Sequence, residues 1–303
     1  MVGATLRERL EAKGERDGTI ALVVQGGGMR GVYSMGALAA LEEEGLADAF
    51  DVVVGSSAGA INGAYLLAGQ ACEAVDVYVE FLSNKAFVNP IRLNKIVDID
   101  YLVDDVLKEK CPLDVRALRA SRTLLEVILT DAETGEPQIF TNRDDVDLYE
   151  VIRATAAMPA LYNRRIEING RSYVDGGVAD SLPVLHALSL GALDLVGVIT
   201  KLPGHRRPGK SALVRLMGRA LAVGQSKEIR GMWGMPDPDF NASMELLEGL
   251  SSRDNVNVWG VLPSQAERLV ARTTTDRDLL LDCAELGRQD MRDALARPPA
   301  SSA

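Results

Sequence analysis

Histidine is nearly missing from this chain: His186 and His205 are the two in 303 residues. Chemistry that leans on imidazole, whether as general base or as metal ligand, therefore has little to draw on. Cysteine is scarce as well. Cys72, Cys111 and Cys283 are odd in number, far apart and without metal-ligand spacing, which excludes a disulfide framework and a thiolate metal site and fits reduced thiols in a cytosolic protein. No apolar stretch runs long enough to span a bilayer. The segment from Leu6 to Asp17 is densely charged and has no apolar leader core, so the chain reads as cytoplasmic, with any membrane contact peripheral. Positive charge is in deficit too, 33 Lys and Arg against 43 Asp and Glu. The resulting net charge of −10 argues against general nucleic-acid binding and against simple attraction to anionic headgroups. Arg206, Arg207 and Lys210 form one small basic cluster against that background.

What is present is core-forming material, 47% hydrophobic and 25% charged, the balance of a soluble globular protein. Two strand-glycine-helix units stand side by side. In the first, Ala21-Leu22-Val23-Val24 runs into Gly26-Gly27-Gly28-Met29-Arg30-Gly31 and then a helical pattern from Val32 to Glu44, with Gly45 as its C-cap. In the second, Val52-Val53-Val54 runs into Gly55-Ser56-Ser57-Ala58-Gly59 and a small-residue helix over 60–68. Serine on a sharp strand-to-helix turn projects its hydroxyl off the sheet, and Gly55 and Gly59 allow the tight backbone and the close helix approach, so Ser57 is a candidate nucleophile. Such a hydroxyl needs a base to take its proton and N–H donors for the oxyanion. Gly26, Gly27 and Gly28 suit the second task, because their amides are unshielded by side chains and a helix follows; Arg30 can reinforce the field there or orient the loop. A nucleotide phosphate loop is the rival reading. The glycine loop has no Gly-Lys-[Ser/Thr] ending and no acidic residue at the dinucleotide spacing, which counts against it.

Residues 70–120 mix short helical patterns with breaks at Asn89-Pro90 and Cys111-Pro112 and read as a peripheral helical insertion with no chemistry readable in it. A hairpin is expected over 123–141, a helix capped by Asp147 and ending before Pro159, and a second hairpin around Asn169-Gly170 whose second arm ends on Asp175-Gly176-Gly177. A buried strand over 195–200, a last strand over 256–261 and a C-terminal helix over 276–296 complete the pattern. Between 211 and 250 the residues Leu213, Leu216, Met217, Leu221, Met232, Trp233 and Met235 surround a break at Pro236; core packing is the simpler reading, a mobile cover over an acyl groove the other. For the base, chain order leaves open both a direct Ser57–Asp175 pair and a triad completed by His205, whereas His186 sits in an apolar helical segment and reads as structural.

Together these motifs resemble the patatin-like phospholipase family of serine acyl hydrolases. The likeness rests on Gly26 to Gly31, on Gly55-Ser56-Ser57-Ala58-Gly59 and on Asp175-Gly176-Gly177, with Arg153-Ala154-Thr155-Ala156-Ala157-Met158-Pro159 similar to a fourth family segment that usually carries serine where Thr155 stands. The family's asparagine shortly after Asp-Gly-Gly is replaced by Asp180-Ser181-Leu182-Pro183. The resemblance spans roughly residues 20–200, and the part beyond is similar to a bacterial subgroup with an extended C-terminal region. It implies an α/β fold of three layers, α/β/α, with a mainly parallel sheet, and a Ser57–Asp175 dyad with no histidine. It also implies a lipid or ester substrate and neither metal nor organic cofactor. The expected organisation is a polar arm over 1–18, a catalytic domain over 19–200 and a packed extension over 201–303. A non-catalytic lipid-binding protein on the same fold is the alternative, and the oligomeric state is not legible.

Overall fold

The computed structural model describes residues 2–11, 18–92, 95–159, 161–212, 224–232 and 234–296. Its centre is one sheet. The glycine-bounded apolar runs form β1 (Thr19–Val24) and β2 (Val52–Ser56), joined by helix α1 (Gly31–Glu43), and β2 leads directly into α2 (Ala58–Leu67). Next come β3 (Leu124–Asp131), β4 (Pro137–Thr141), α3 (Leu148–Ala156), β5 (Ile166–Ile168) and β6 (Arg171–Asp175). The chain continues with α4 (Val184–Ser189), β7 (Ala192–Val198), α5 (Pro238–Leu247), β8 (Asn257–Val261) and α6 (Arg277–Ala296). Strands β3, β2, β1, β7 and β8 lie side by side and parallel, and the β3 end of the sheet is finished by antiparallel β4, β6 and β5. Helices cover both faces, and the strands between them are buried on both sides, which is why β1 and β2 read as continuous apolar runs.

The register of β3 sets the site. β2 pairs with Leu124 to Ile128, β4 with Glu126 to Thr130, and β6 with Leu129 to Asp131. Because β4 overlaps both of the others, β2 and β6 must share the opposite edge of β3 and meet there end to end from opposite directions. Ser56 pairs with Ile128 and Asp175 with Leu129, so the last residues of β2 and β6 are neighbours.

The residues after 200 belong to the same core. β8 extends the sheet, and α6 packs on α1 so closely that a Cβ on Gly36 would stand 1.9 Å from the Ala284 carbonyl oxygen and one on Gly287 2.0 Å from that of Tyr33. Every residue of α1 from Gly31 to Leu41 is buried as a result. At the other terminus, the helix Val2–Glu11 is less polar in its role than its charges imply, since Leu6 is buried in the same core as α6. Asn169 and Gly170 both take positive φ, 52° and 76°, as a two-residue hairpin turn with the strands' twist requires. Of the apolar residues between 211 and 250, Leu213, Leu216, Met217, Leu221 and Trp233 lie outside the described residues; Met232 is half-buried and Met235 is exposed. Among the described residues no helix is long and apolar enough to cross a membrane.

Candidate active site

Three loops converge at the carboxyl ends of the parallel strands, where open α/β sheets place ligands. The Ser57 turn follows β2, the Gly26–Gly28 loop follows β1, and Lys201 follows β7. Ser57 sits at φ 55°, ψ −136°, a strained conformation for a residue with a Cβ, held by the tight strand-to-helix turn. Neither flanking glycine has positive φ; both are there for space. A Cβ on Gly59 would lie 2.0 Å from the Val24 carbonyl oxygen, and one on Gly55 2.7 Å from the Ala60 nitrogen.

Ser57 Oγ donates a 2.8 Å hydrogen bond to Asp175 Oδ2. The other carboxylate oxygen accepts from the Gly177 amide at 2.7 Å. Asp175 is wholly buried, and burial pushes its carboxyl up to about 6, against the pull of the Gly177 amide, the Ser57 hydroxyl and the Arg272 charge. Gly176 is obligatory, since a Cβ there would come within 1.9 Å of the Ile128 carbonyl oxygen. A hydroxyl held this way can pass its proton to the carboxylate as it attacks an electrophile.

In the glycine loop Gly27 and Gly28 have φ of 158° and 59°. The Met29 amide is taken by the Arg272 carbonyl at 3.0 Å and the Arg30 amide by Gly27 at 3.3 Å. Among the described residues no acceptor is recorded for the amides of Gly26, Gly27 and Gly28. Arg30 turns away from them: its Nε donates to the Val270 carbonyl at 2.7 Å, so it ties the loop to the segment before α6.

Thr155 closes the turn from below. Its hydroxyl accepts from the Ser57 amide at 2.9 Å and donates to the buried Ile128 carbonyl at 2.7 Å, linking the turn to β3. Thr155→Val leaves both groups unpaired and is expected to cost about 1–3 kcal/mol in denaturant unfolding, with Thr155→Ser recovering most of it.

Neither histidine joins this cluster. His186 pairs with Glu126 at 2.6 Å, and the His205 ring stands edge-on to Phe240 with centroids 5.8 Å apart. Among the described residues no group of three or more His, Cys, Asp or Glu side chains is placed to hold a metal ion.

Ser57 and Asp175 open into a cavity with a mainly apolar wall. Much of its apolar wall comes from the stretch read as a peripheral insertion: Val77, Leu82, Phe87, Ile99 and Leu102, joined by Met158. No chemistry was readable there because an apolar lining has the same composition as a core. The wall elements include two π-helical segments, Val77–Phe81 and Tyr101–Lys110. The Arg153 guanidinium pins the second to α3 through Asp100 and Asp104, both at 2.8 Å. Sequence reading also missed Lys201 and Arg272, which line the same cavity; the available signal for Lys201 was its place at the carboxyl end of a buried strand.

The model of the patatin-like phospholipase family matches residues 22–188, more than half of the chain. The chain is 31% identical over 190 residues to the uncharacterized protein YjjU of Escherichia coli, covering 60% of this chain and 52% of that protein. To the uncharacterized NTE family protein Rv1063c of Mycobacterium tuberculosis it is 28% identical over 188 residues, covering 58% and 47%. It thus spans about half the length of the curated relatives it matches. VipD from Legionella pneumophila shares the fold at 15% identity, with a TM-score of 0.54 over 92% of this chain and 67% of that one. The matched segment carries the glycine loop, the Ser57 turn and Asp175 on a sheet of the same architecture: this chain belongs to the patatin-like phospholipase family.

Proposed function

We propose that the protein is a serine-dependent lipid acyl hydrolase acting on carboxylic esters. The observation that carries this reading is the 2.8 Å hydrogen bond from Ser57 Oγ to a buried carboxylate at the mouth of an apolar cavity. In the proposed reaction Ser57 Oγ forms a bond to the ester carbonyl carbon while its proton passes to Asp175. The oxyanion is held by the Gly27 and Gly28 amides, which face no acceptor of their own among the described residues. Collapse of the tetrahedral species breaks the bond to the alkoxy oxygen, which leaves as the alcohol with the proton from Asp175. Water, giving its proton to the same carboxylate, then releases the carboxylic acid and restores Ser57. A carboxylate is a weak base toward an alcohol, and raising its proton affinity by burial moves it toward what the step needs. A triad completed by His205 finds no support, because that ring packs on Phe240.

The test is covalent. A fluorophosphonate probe is expected to label the native protein at one site, located to Ser57 by mass spectrometry and lost in Ser57→Ala, with hydrolysis of p-nitrophenyl and lipid esters lost in parallel. An unlabelled but folded protein that still binds fatty acid would be the non-catalytic lipid binder instead.

A further inference from the structure

The cavity has a second chemical character that apolar chains do not use. Lys201, Arg207 and Arg272 all line it. Lys201 is more than nine-tenths buried, yet the charges that act on it come from Arg272, Arg30 and Arg207, all cations, and burial in their company pulls its ammonium down to about 7. Of the three lining cations, Arg207 has a carboxylate partner among the described residues, Asp237 at 2.9 Å. It is aimed as well as paired: its Nη1 also donates to the cavity residue Ser181 at 2.7 Å, and its guanidinium lies 4.0 Å over the Phe240 ring. Gathering like charges in a half-enclosed site opposes folding, and it happens here in a chain whose net charge is −10.

The sheet order gives this cluster its place in the reaction. In the sheet β1 lies between β2 and β7, so the glycine loop after β1 stands between the Ser57 turn after β2 and Lys201 after β7. The Thr200 hydroxyl, one residue before Lys201, donates to the Gly26 carbonyl at 2.6 Å, and the Arg272 carbonyl holds Met29 on the loop's other end. The apolar wall from 77–102 and Met158 and the three cations line the same cavity around Ser57, so an ester bound there meets apolar and cationic surface together. Among the described residues Asp175 is the one carboxylate that lines the cavity, and it is committed to Ser57 and Gly177.

Resting on the acyl hydrolase reading, we propose that Lys201, Arg207 and Arg272 bind the phosphate of a phosphorylated leaving alcohol and select headgroups that carry no compensating cation. A phosphate meets two guanidiniums and the Lys201 amine, whose protonated form it favours, with Asp237 the one carboxylate paired to them among the described residues, and charge-assisted contacts of this kind are the strong ones. A phosphocholine headgroup would bring a quaternary ammonium to the same cations, and among the described residues that line the cavity no free carboxylate awaits it. The site is built by residues beyond the segment that the family model matches, so it is a property of this chain's own C-terminal part.

The experiment separates headgroup from chemistry. Full-length Ser57→Ala protein is titrated calorimetrically with 1-oleoyl lysophosphatidate, 1-oleoylglycerol and 1-oleoyl lysophosphatidylcholine, each below its micelle concentration. The lysophosphatidate is expected to bind at least 10-fold tighter than either of the others. Adding Lys201→Met and Arg272→Gln should shrink that preference by about 10- to 100-fold, while the charge-matched surface change Lys210→Met leaves it as it was. Free glycerol 3-phosphate, titrated alone, distinguishes a headgroup clamp from a soluble phosphate site: measurable binding only with the acyl chain attached supports the clamp, and glycerol 3-phosphate binding as tightly as the lipid overturns it. Equal affinity for the three lipids, or a preference that survives the double change, also overturns the inference. Because these are equilibria of a protein without Ser57, they stand apart from the acyl hydrolase reading, which fails only if native protein shows no Ser57-dependent hydrolysis.

Discussion

Asp175→Asn is expected to lower turnover by about 100- to 10,000-fold, the usual worth of a positioned proton acceptor, and to raise thermal stability at pH 8. The two effects share one cause. Asp175 is wholly buried and its carboxyl titrates near 6 in the fold, against an ordinary value of 3.8. Its charged form is therefore disfavoured by folding. Stability contributed by the neutral carboxyl is fully present below about 4, is lost as pH rises toward 6, and stays lost above, a penalty of about 3 kcal/mol. Asparagine never ionises, and its Oδ1 can still accept from the Gly177 amide, so it removes that penalty at the expense of an NH2 group facing Ser57. The variant should unfold at a higher temperature than the native chain at pH 8, and the difference should close by pH 4. Activity is expected to move the other way in the native chain: on the proposed mechanism the base must be ionised, so kcat/KM should fall as pH drops through about 6. Retained turnover in a folded Asp175→Asn protein would remove Asp175 from the mechanism.

Gly28→Val should cost about 100- to 1,000-fold in turnover, the loss typical of one oxyanion donor. Gly28 has φ 59°, where a β-branched residue is strained, and its new Cβ would stand 2.7 Å from the Arg272 carbonyl oxygen, an atom of the backbone that cannot rotate away. Relief comes by moving the loop, the Arg272 segment or both, which breaks the Met29 contact that sets the loop's shape. Circular dichroism should change little, because β1 and α1 on either side are buried and intact. The fluorophosphonate should also react more slowly, since its phosphoryl oxygen uses the same donors. Unchanged turnover together with unchanged labelling would show that the amides of this loop hold no oxyanion.

How much of this was legible depends on how local each signal is. β1 and β2 announce themselves as apolar runs stopped by glycine, and the β5–β6 hairpin by Asn169-Gly170, because one or two residues decide those conformations. The meeting of Ser57 with Asp175 is not local at all. It depends on β2 and β6 sharing an edge of β3 with adjacent registers, which no stretch of sequence states, although the Gly-x-Ser-x-Gly and Asp-Gly-Gly patterns marked both ends of the contact. The cavity wall from 77–102 was illegible for a different reason: side chains that face an acyl groove and side chains that face a core are the same side chains. Thr155 was visible as a hydroxyl and silent as to its partners. Lys201 and Arg272 could not be paired in advance, since each is an unremarkable cation until the sheet order sets them beside the same loop.

The glycine loop is tied by Arg30 and Met29 to Val270 and Arg272, about 240 residues further along the chain. Synthesis turns that distance into a delay. At roughly 5–20 residues per second the loop leaves the ribosome roughly 10–50 s before its anchor exists. Throughout that interval α1 lacks the α6 surface that buries its outer face, and the Gly27 and Gly28 amides lack the clamp that aims them. If the acyl hydrolase reading holds, a nascent chain long enough to contain Ser57, Asp175 and the whole family segment is expected to be silent still. On the acyl hydrolase reading α6 acts as the arming step, and a copy truncated before α6 should expose the bare side of α1 and show no Ser57-dependent hydrolysis.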